Sequence, residues 1–224
     1  MSIQERKARD ASRMRERIFK AALDLFAKGG YPAVTMRAIA QAIEYSPGTI
    51  YRYFRDKNEI LRELCFRGFE MLLAIQAELS DLADPLERLR QAGRRYISFA
   101  RQHPDLYAIM FTIGGLMKKD PGAVEDRPPL TAYHNLESAV AACLDARGWP
   151  AAEVPRVALA LWSQWHGLAM LLVKDQLAGP IEPLQACVHQ AADLTLAALS
   201  GDPGHRVSPL AGPVSAALLP PERS

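Results

Sequence analysis

Apolar positions recur at helical spacing along almost the whole chain. Ile18, Ala21, Ala22, Leu25 and Phe26 stand at i, i+3, i+4, i+7 and i+8, with Arg13, Arg17, Asp24 and Lys28 on the opposite side. This pattern predicts a first helix that stops at Gly29-Gly30. Two short helices are predicted next, over about residues 35–43 and 46–54. A long one follows over about 56–79, where Ile60, Leu64, Met71, Leu72, Ile75 and Leu79 share a stripe. Asp56 and Glu59 have the spacing of a capping box, with Asp in the Ser/Thr place. Further helices are predicted over about 85–102, 104–117, 130–147, 154–176 and 183–199, and residues 118–129, rich in proline and charge, read as a loop. From residue 200 Gly, Pro and Ser come with little periodicity, which predicts a largely disordered tail. No strand alternation persists and no segment repeats, so the expected fold class is all-α.

Composition agrees with a folded chain: of 224 residues, 49% are apolar and 23% charged, the ordinary balance of a globular protein. Cys65, Cys143 and Cys187 are odd in number and widely spaced. They read as reduced thiols in a cytoplasmic protein, not as bridges or a zinc set. The first residues carry charge with no apolar run behind it, so no secretory signal is expected. Residues 157–173 lack formal charge, but Ser163, Gln164 and His166 sit at their centre, where lipid would penalise them. A helix buried in the protein or between two subunits accounts for that run, and no membrane association is expected.

Charge is unevenly placed. Residues 1–67 hold 14 Lys/Arg and 8 Asp/Glu, a net of +6; residues 68–224 hold 13 and 17, a net of −4. A basic first third on an acidic remainder suggests a module that faces nucleic acid. The two short predicted helices fit a helix-turn-helix. Ala40 is small where the helices approach, and Ile39 and Ile50 are apolar where the pair rests on its support. Ser46 suits an N-cap and Pro47 the first helical position. Gly48 allows close approach of a phosphate, and Thr49, Tyr51, Arg52 and Tyr53 offer hydroxyls and a cation to a groove wall.

With those residues in place, the stretch 35–61 resembles the DNA-binding domain of the tetracycline-repressor (TetR) family of bacterial regulators, and residues 18–31 resemble its first helix. Ile39-Ala40, Ser46, Gly48-Thr49, Tyr51, Tyr53-Phe54 and Lys57 all fall at the family spacing. The resemblance implies a flexible basic arm over 1–12, a three-helix DNA-binding domain over 13–60, a helical ligand-binding and dimerisation domain over 61–199, and about nine helices in all. It implies that Thr35 and Arg37 meet a phosphate or a base, that Pro47, Gly48 and Thr49 open the recognition helix, that Tyr51 and Tyr53 reach backbone or bases, and that Lys57 holds a phosphate. Phe54 reads as core. The chain departs from the family in its turn: Glu44 and Tyr45 stand where Gly and a small apolar residue are usual. Glu44 would then take a left-handed backbone at some strain and bring a negative charge near DNA.

In the remainder, Trp162-Ser-Gln-Trp165-His166-Gly167 resembles a subset of TetR-type C-terminal domains named for a Trp-His-Gly step. The family implies that the last two long helices pair with those of a second subunit, which puts Leu161, Leu168, Leu172, Leu184, Val188, Ala191 and Thr195 at a dimer interface. Tyr96, Phe99, Tyr107, Met110, Phe111, Tyr133, Trp162, Trp165, His166 and Met170 either line an apolar pocket or form ordinary core. His166 reads as a core histidine with a hydrogen-bond partner or as a ligand contact. The histidines make no ligand-spaced cluster with cysteine or acids, so no metal or cofactor is expected. A phosphate loop, a Gly-x-Ser-x-Gly elbow, a His-Glu-x-x-His helix and a dinucleotide fingerprint are all absent from the sequence. The expected protein is therefore no enzyme but a cytoplasmic homodimeric repressor, released from a palindromic operator in double-stranded DNA by a small hydrophobic or aromatic ligand. The alternative is a helical partner-binding module or an enzyme without DNA binding.

Overall fold

The computed structural model describes residues 2–112, 128–174 and 181–198, and all regular structure among them is helical. In chain order the helices are α1 (Ile3–Ala33), α2 (Met36–Ala42), α3 (Pro47–Tyr51), α4 (Lys57–Glu78), α5 (Pro85–Gln102), α6 (Pro104–Thr112), α7 (Pro128–Asp145), α8 (Val154–Val173) and α9 (Ile181–Ala198), with one 3₁₀ turn at Ala151–Glu153. The expected tail, and the end of the helix predicted to reach 117, lie outside the described residues.

The helix starts follow from local chemistry. Ser2 Oγ accepts the Glu5 N–H at 3.2 Å while Glu5 Oε2 accepts the Ser2 N–H at 2.7 Å, a closed capping box. Residues 3–12, expected as a flexible arm, are accordingly the opening turns of α1. The helix breaks where predicted: Gly29 leaves the helical region and Gly30 takes φ +64, a conformation that favours glycine. At the start of α4 the Glu59 N–H reaches Asp56 Oδ1 at 2.9 Å, the forward half of the predicted box. The return half lands one residue upstream, on the Arg55 N–H at 2.6 Å. Helix α3 stops at Tyr51, short of the predicted 54, because Arg52 and Tyr53 turn back through bonds to the Thr49 and Ile50 carbonyls.

The chain forms two compact units: Met1–Gly68 with Asp105–Asp120, and Phe69–Pro104 with Pro121–Ser224. The division is thus not at the expected residue 60. In the first unit Ile60, Leu61, Leu64 and Cys65 of α4 and Tyr107, Ile109 and Met110 of α6 are buried. Cys65 Sγ donates to the Met110 carbonyl at 3.7 Å, and burial pushes that thiol up to about 12. A Cβ at Gly68 would overlap the Met110 side chain, so glycine lets the two segments close. Core demand, not chain order, draws these segments together.

The second unit packs α5, α7, α8 and α9 around Leu89, Ile97, Leu136, Val140, Leu144, Ala158, Leu161, Trp165, Val188, Ala192 and Leu196. Each fully buried Val, Leu or Ile side chain among them contributes roughly 1.5–3 kcal/mol. Trp165 packs against Gly93, where a Cβ would come within 2.5 Å of the indole. Gln164 Nε2 donates to the Ala191 carbonyl at 2.7 Å, tying α8 to α9, and Arg94 pairs with Asp193 at 2.6 Å, tying α5 to α9. The uncharged run of α8 is accounted for by this packing. Among the described residues no helix is long and apolar enough to cross a membrane.

Candidate nucleic-acid interface

Helix α2, a four-residue turn and α3 make the helix-turn-helix. Ile39, Ala40 and Ile50 are buried to within 1% and hold the two helices on the unit's core. Phe54 is core as expected, edge-on to Phe19 with ring centres 5.3 Å apart. Because these positions face inward, helical geometry turns their neighbours outward. Thr35, Arg37, Pro47, Gly48, Tyr51 and Arg52 are exposed, Tyr51 at 57%. Thr49, Tyr53 and Lys57 are half-buried.

Three of these residues also hold the local structure. Thr35 caps α2, its Oγ1 accepting the Ala38 N–H at 3.0 Å. Ser46 is the N-cap of α3 but makes no side-chain bond to the helix amides; its hydroxyl lies 3.2 Å from that of Thr49. The Lys57 ammonium donates to the Tyr31 carbonyl at 3.1 Å and stacks on the Tyr31 ring. A Cβ at Gly48 would meet only Ser46 Oγ, at 3.8 Å, so the start of α3 is open to a close partner.

The turn keeps the left-handed geometry. Glu44 has φ +62, and among the described residues it is the only non-glycine with positive φ. Two contacts surround it. Arg17 Nη2 donates to the Ile43 carbonyl at 2.9 Å, and the same guanidinium stacks over the Tyr45 ring at 5.1 Å. Tyr45, unusual at its position, is therefore the seat of a clamp from α1. A second clamp sits at the far end of α3: Arg15 donates to the Tyr53 carbonyl at 3.2 Å, pairs with Glu63 and lies 4.2 Å over the Phe54 ring. Arg67 lies 4.1 Å over the Phe19 ring and pairs with Glu16 at 2.7 Å. Sequence reasoning missed Arg15, Arg17 and Arg67. Their partners are distant in the chain, and no local spacing announces them.

The ten residues expected to line one pocket fall in both units. Tyr107, Met110 and Phe111 belong to the first, where Tyr107 and Met110 are fully buried. In the second unit Phe99 and Trp165 are core at 3% exposure. Tyr96, Tyr133, Trp162 and His166 make a connected half-buried group. Tyr96 Oη lies 3.3 Å from His166 Nδ1, and Trp162 packs against both Tyr133 and His166. Burial lowers the pKa of His166, and burial with the nearby Glu137 carboxylate raises that of Tyr133. Met170 is half-buried. A separate cleft of about 430 Å³ lies between α4 and α5, lined by Met71, Ala74, Ile75, Arg95, Ser98, Phe99, Gln102 and His103; of the expected lining it contains Phe99 alone. No group of three potential metal ligands occurs among the described residues.

The expected dimer face is corrected at two positions, Leu161 and Val188. Leu161 and Val188 are buried in the chain's own core, and Leu168 and Leu172 pack against that core. The Ala191 carbonyl is taken by Gln164. The side chains of Leu184 and Thr195 lie outside the described residues. Among the described side chains, the exposed positions are Ala160, Ser163, Gly167 and Leu171 on α8, and Ala186, Gln190, Leu194 and Ala197 on α9. Helix α8 is apolar around most of its girth, so its periodicity does not say which stripe goes inside.

Comparison with known proteins agrees with this anatomy. Residues 18–64 match the bacterial regulatory proteins of the tetR family, and residues 89–195 match the tetracyclin repressor-like C-terminal domain. The HTH-type transcriptional repressor KstR of Rhodococcus jostii is 41% identical over 76 residues, 34% of this chain and 35% of that protein. The repressor NicS of Pseudomonas putida is 28% identical over 107 residues, 47% of this chain and 50% of that protein. The matches thus span half or less of these relatives' length. Among solved structures, the TetR family regulator PfmR of Thermus thermophilus superposes with a TM-score of 0.66 at 23% identity, covering 81% of this chain and 97% of that one. A TetR family regulator of Marinobacter aquaeolei superposes at 0.63 with 20% identity, covering 84% and 97%. At these identities the likeness is one of fold.

Proposed function

The chain belongs to the tetR family of bacterial regulatory proteins, and we propose that it is a DNA-binding transcriptional repressor that reads a palindromic operator through α3. The observation that carries the reading is the division of the helix-turn-helix. Ile39 and Ile50 are sealed in the core while Arg37 of α2 and Gly48, Tyr51 and Arg52 in and after α3 stand in solvent. A short helix presented this way fits the major groove, with its opening residues toward base edges and hydroxyls and cations toward phosphates. The test is selection from a random-sequence duplex library. The wild type is expected to enrich an inverted repeat, and the Arg37→Ala, Tyr51→Ala variant to lose it. Failure of the wild type to enrich any duplex would overturn the reading.

Two half-sites about 34 Å apart call for two reading heads, and the protein acts as a homodimer. The face that supports this is the exposed stripe of α8 and α9. Leu194 is 70% and Leu171 36% exposed, and a Cβ at Gly167 would meet nothing within 4 Å, which leaves room for close approach of a second helix. A small hydrophobic or aromatic effector binds the second unit at the Tyr96, Tyr133, Trp162 and His166 group. It releases DNA by favouring a form that fits the operator poorly, which requires unequal affinity for the two forms. A compound that raises the melting temperature and also frees the selected duplex identifies it.

A further inference from the structure

Arg6, Arg9, Arg13 and Arg17 stand at i, i+3, i+7 and i+11 of α1, one stripe of a helix, opposite the buried Ile18 and Ala22. All four are exposed. Other cations of the same unit are taken: Arg15 pairs with Glu63 and Arg67 with Glu16. For Arg6, Arg9 and Arg13 no carboxylate partner occurs among the described residues. Glu5 is engaged in the capping box and Glu16 by Arg67, and Asp10, four residues after Arg6 and three before Arg13, is the one remaining acid within helical reach of these arginines.

Two features make this a surface and not a solvated run. The capping box at Ser2 holds the stripe on an ordered helix, so the four arginines leave the backbone at fixed helical spacing. The stripe is also continuous with the helix-turn-helix, because Arg17 bonds the Ile43 carbonyl at the turn that leads into α3. From Arg17 to Arg6 the helix rises about 16 Å. We propose that this face of α1 is a second phosphate-binding surface, gripping the operator backbone outside the bases that α3 addresses. It rests on the DNA-binding reading above. The chemistry fits: exposed guanidinium groups bind phosphate oxygens through paired hydrogen bonds, and duplex DNA offers one charge per ~1.7 Å of its axis.

The test uses the full chain and the duplex recovered by selection, in two lengths: trimmed to the selected site, and extended by one helical turn on each side. The wild type is expected to bind the extended duplex more tightly. The triple variant Arg6→Gln, Arg9→Gln, Arg13→Gln should bind both lengths equally. Its log–log salt slope should be shallower by about 0.9 for each contact removed. Glutamine has nearly the helix propensity of arginine, so far-ultraviolet circular dichroism should not change. The corresponding lysine triple variant should recover the slope, because the contact depends on charge. A Gln variant that keeps both the wild-type slope and the wild-type dependence on flanking DNA would overturn this surface while leaving the DNA-binding reading intact. A wild type that binds no duplex would overturn both.

Discussion

The Lys57 ammonium donates to the carbonyl of Tyr31 at 3.1 Å and lies 3.7 Å from the centre of the same residue's ring. Tyr31 in turn donates its hydroxyl to Asn58 Oδ1 at 2.8 Å. The residue expected to hold a phosphate is therefore also a fastener between the end of α1 and the start of α4. Tyr51, by contrast, supports nothing: it stands 57% exposed.

That contrast predicts different variants. Lys57→Ala should lower unfolding free energy by about 1 kcal/mol, the lower end for a half-buried hydrogen bond and cation–π contact, and should also weaken duplex binding. Tyr51→Ala should weaken binding with stability unchanged within about 0.5 kcal/mol. Urea denaturation beside a binding titration separates the two; equal stability of both variants would refute the fastening role.

Glu44 sits at φ +62, where a side chain is strained and glycine is not. Glu44→Gly is expected to raise stability by about 1 kcal/mol, a rise of roughly 2–4 °C in melting temperature for a chain of this size. Arg17→Ala should cost more stability in the wild type than in the Glu44→Gly background, because the clamp on Ile43 and Tyr45 compensates the strained turn. A double-mutant cycle measures that coupling, and additivity would count against it.

His166 and His189 both have lowered pKa values. Burial is the cause at His166. At His189 burial leads, aided by Arg94 and Arg101 and opposed by Asp193. The folded chain then keeps both neutral while the unfolded chain protonates near the ordinary 6.5. Above that pH neither state binds the proton and stability is full. As pH falls below it, the unfolded state binds more protons and stability declines until the folded pKa values are passed. Urea midpoints should drop between mildly alkaline and mildly acidic buffer, and the His166→Asn, His189→Asn variant should show a smaller drop over the same window.

Leu194 and Gly167 test the proposed dimer face. Leu194→Arg places charge on an exposed position and Gly167→Trp fills the open space on α8, so both are expected to yield folded monomers in sedimentation. Leu161→Ala is the counter-experiment. It should lower stability by about 2–5 kcal/mol as a core cavity without first dissociating the dimer. Dissociation by Leu161→Ala at full stability would restore the original assignment of that face.

Much of this anatomy was legible one element at a time. The spacing of Ile18, Ala22 and Phe26, the Gly29-Gly30 stop, Pro47 at the first position of α3 and Asp56 before α4 each act within a few residues. Local chemistry therefore sets where helices begin, end and bear apolar stripes. The same reasoning placed Ile39 and Ile50 inside and Arg37 and Tyr51 outside, because a short amphipathic helix has one face to bury. It did not choose among the several apolar stripes of α8, and for the aromatic residues it left pocket lining and ordinary core open; Phe99 and Trp165 are core.

By itself, then, the sequence determined the helical class, the helix-turn-helix and the family. The tertiary structure alone decided that Arg17 reaches Ile43, that Arg15 reaches Tyr53 and Glu63, and that Leu161 rather than Leu171 enters the core. Those partners are 26, 38 and 48 residues away along the chain for the two arginines. Contacts over such distances are chosen by competition among packed surfaces, where the best-fitting stripe takes the core and leaves the others to solvent. Periodicity records which positions are able to be buried, and only the packed neighbours select among them.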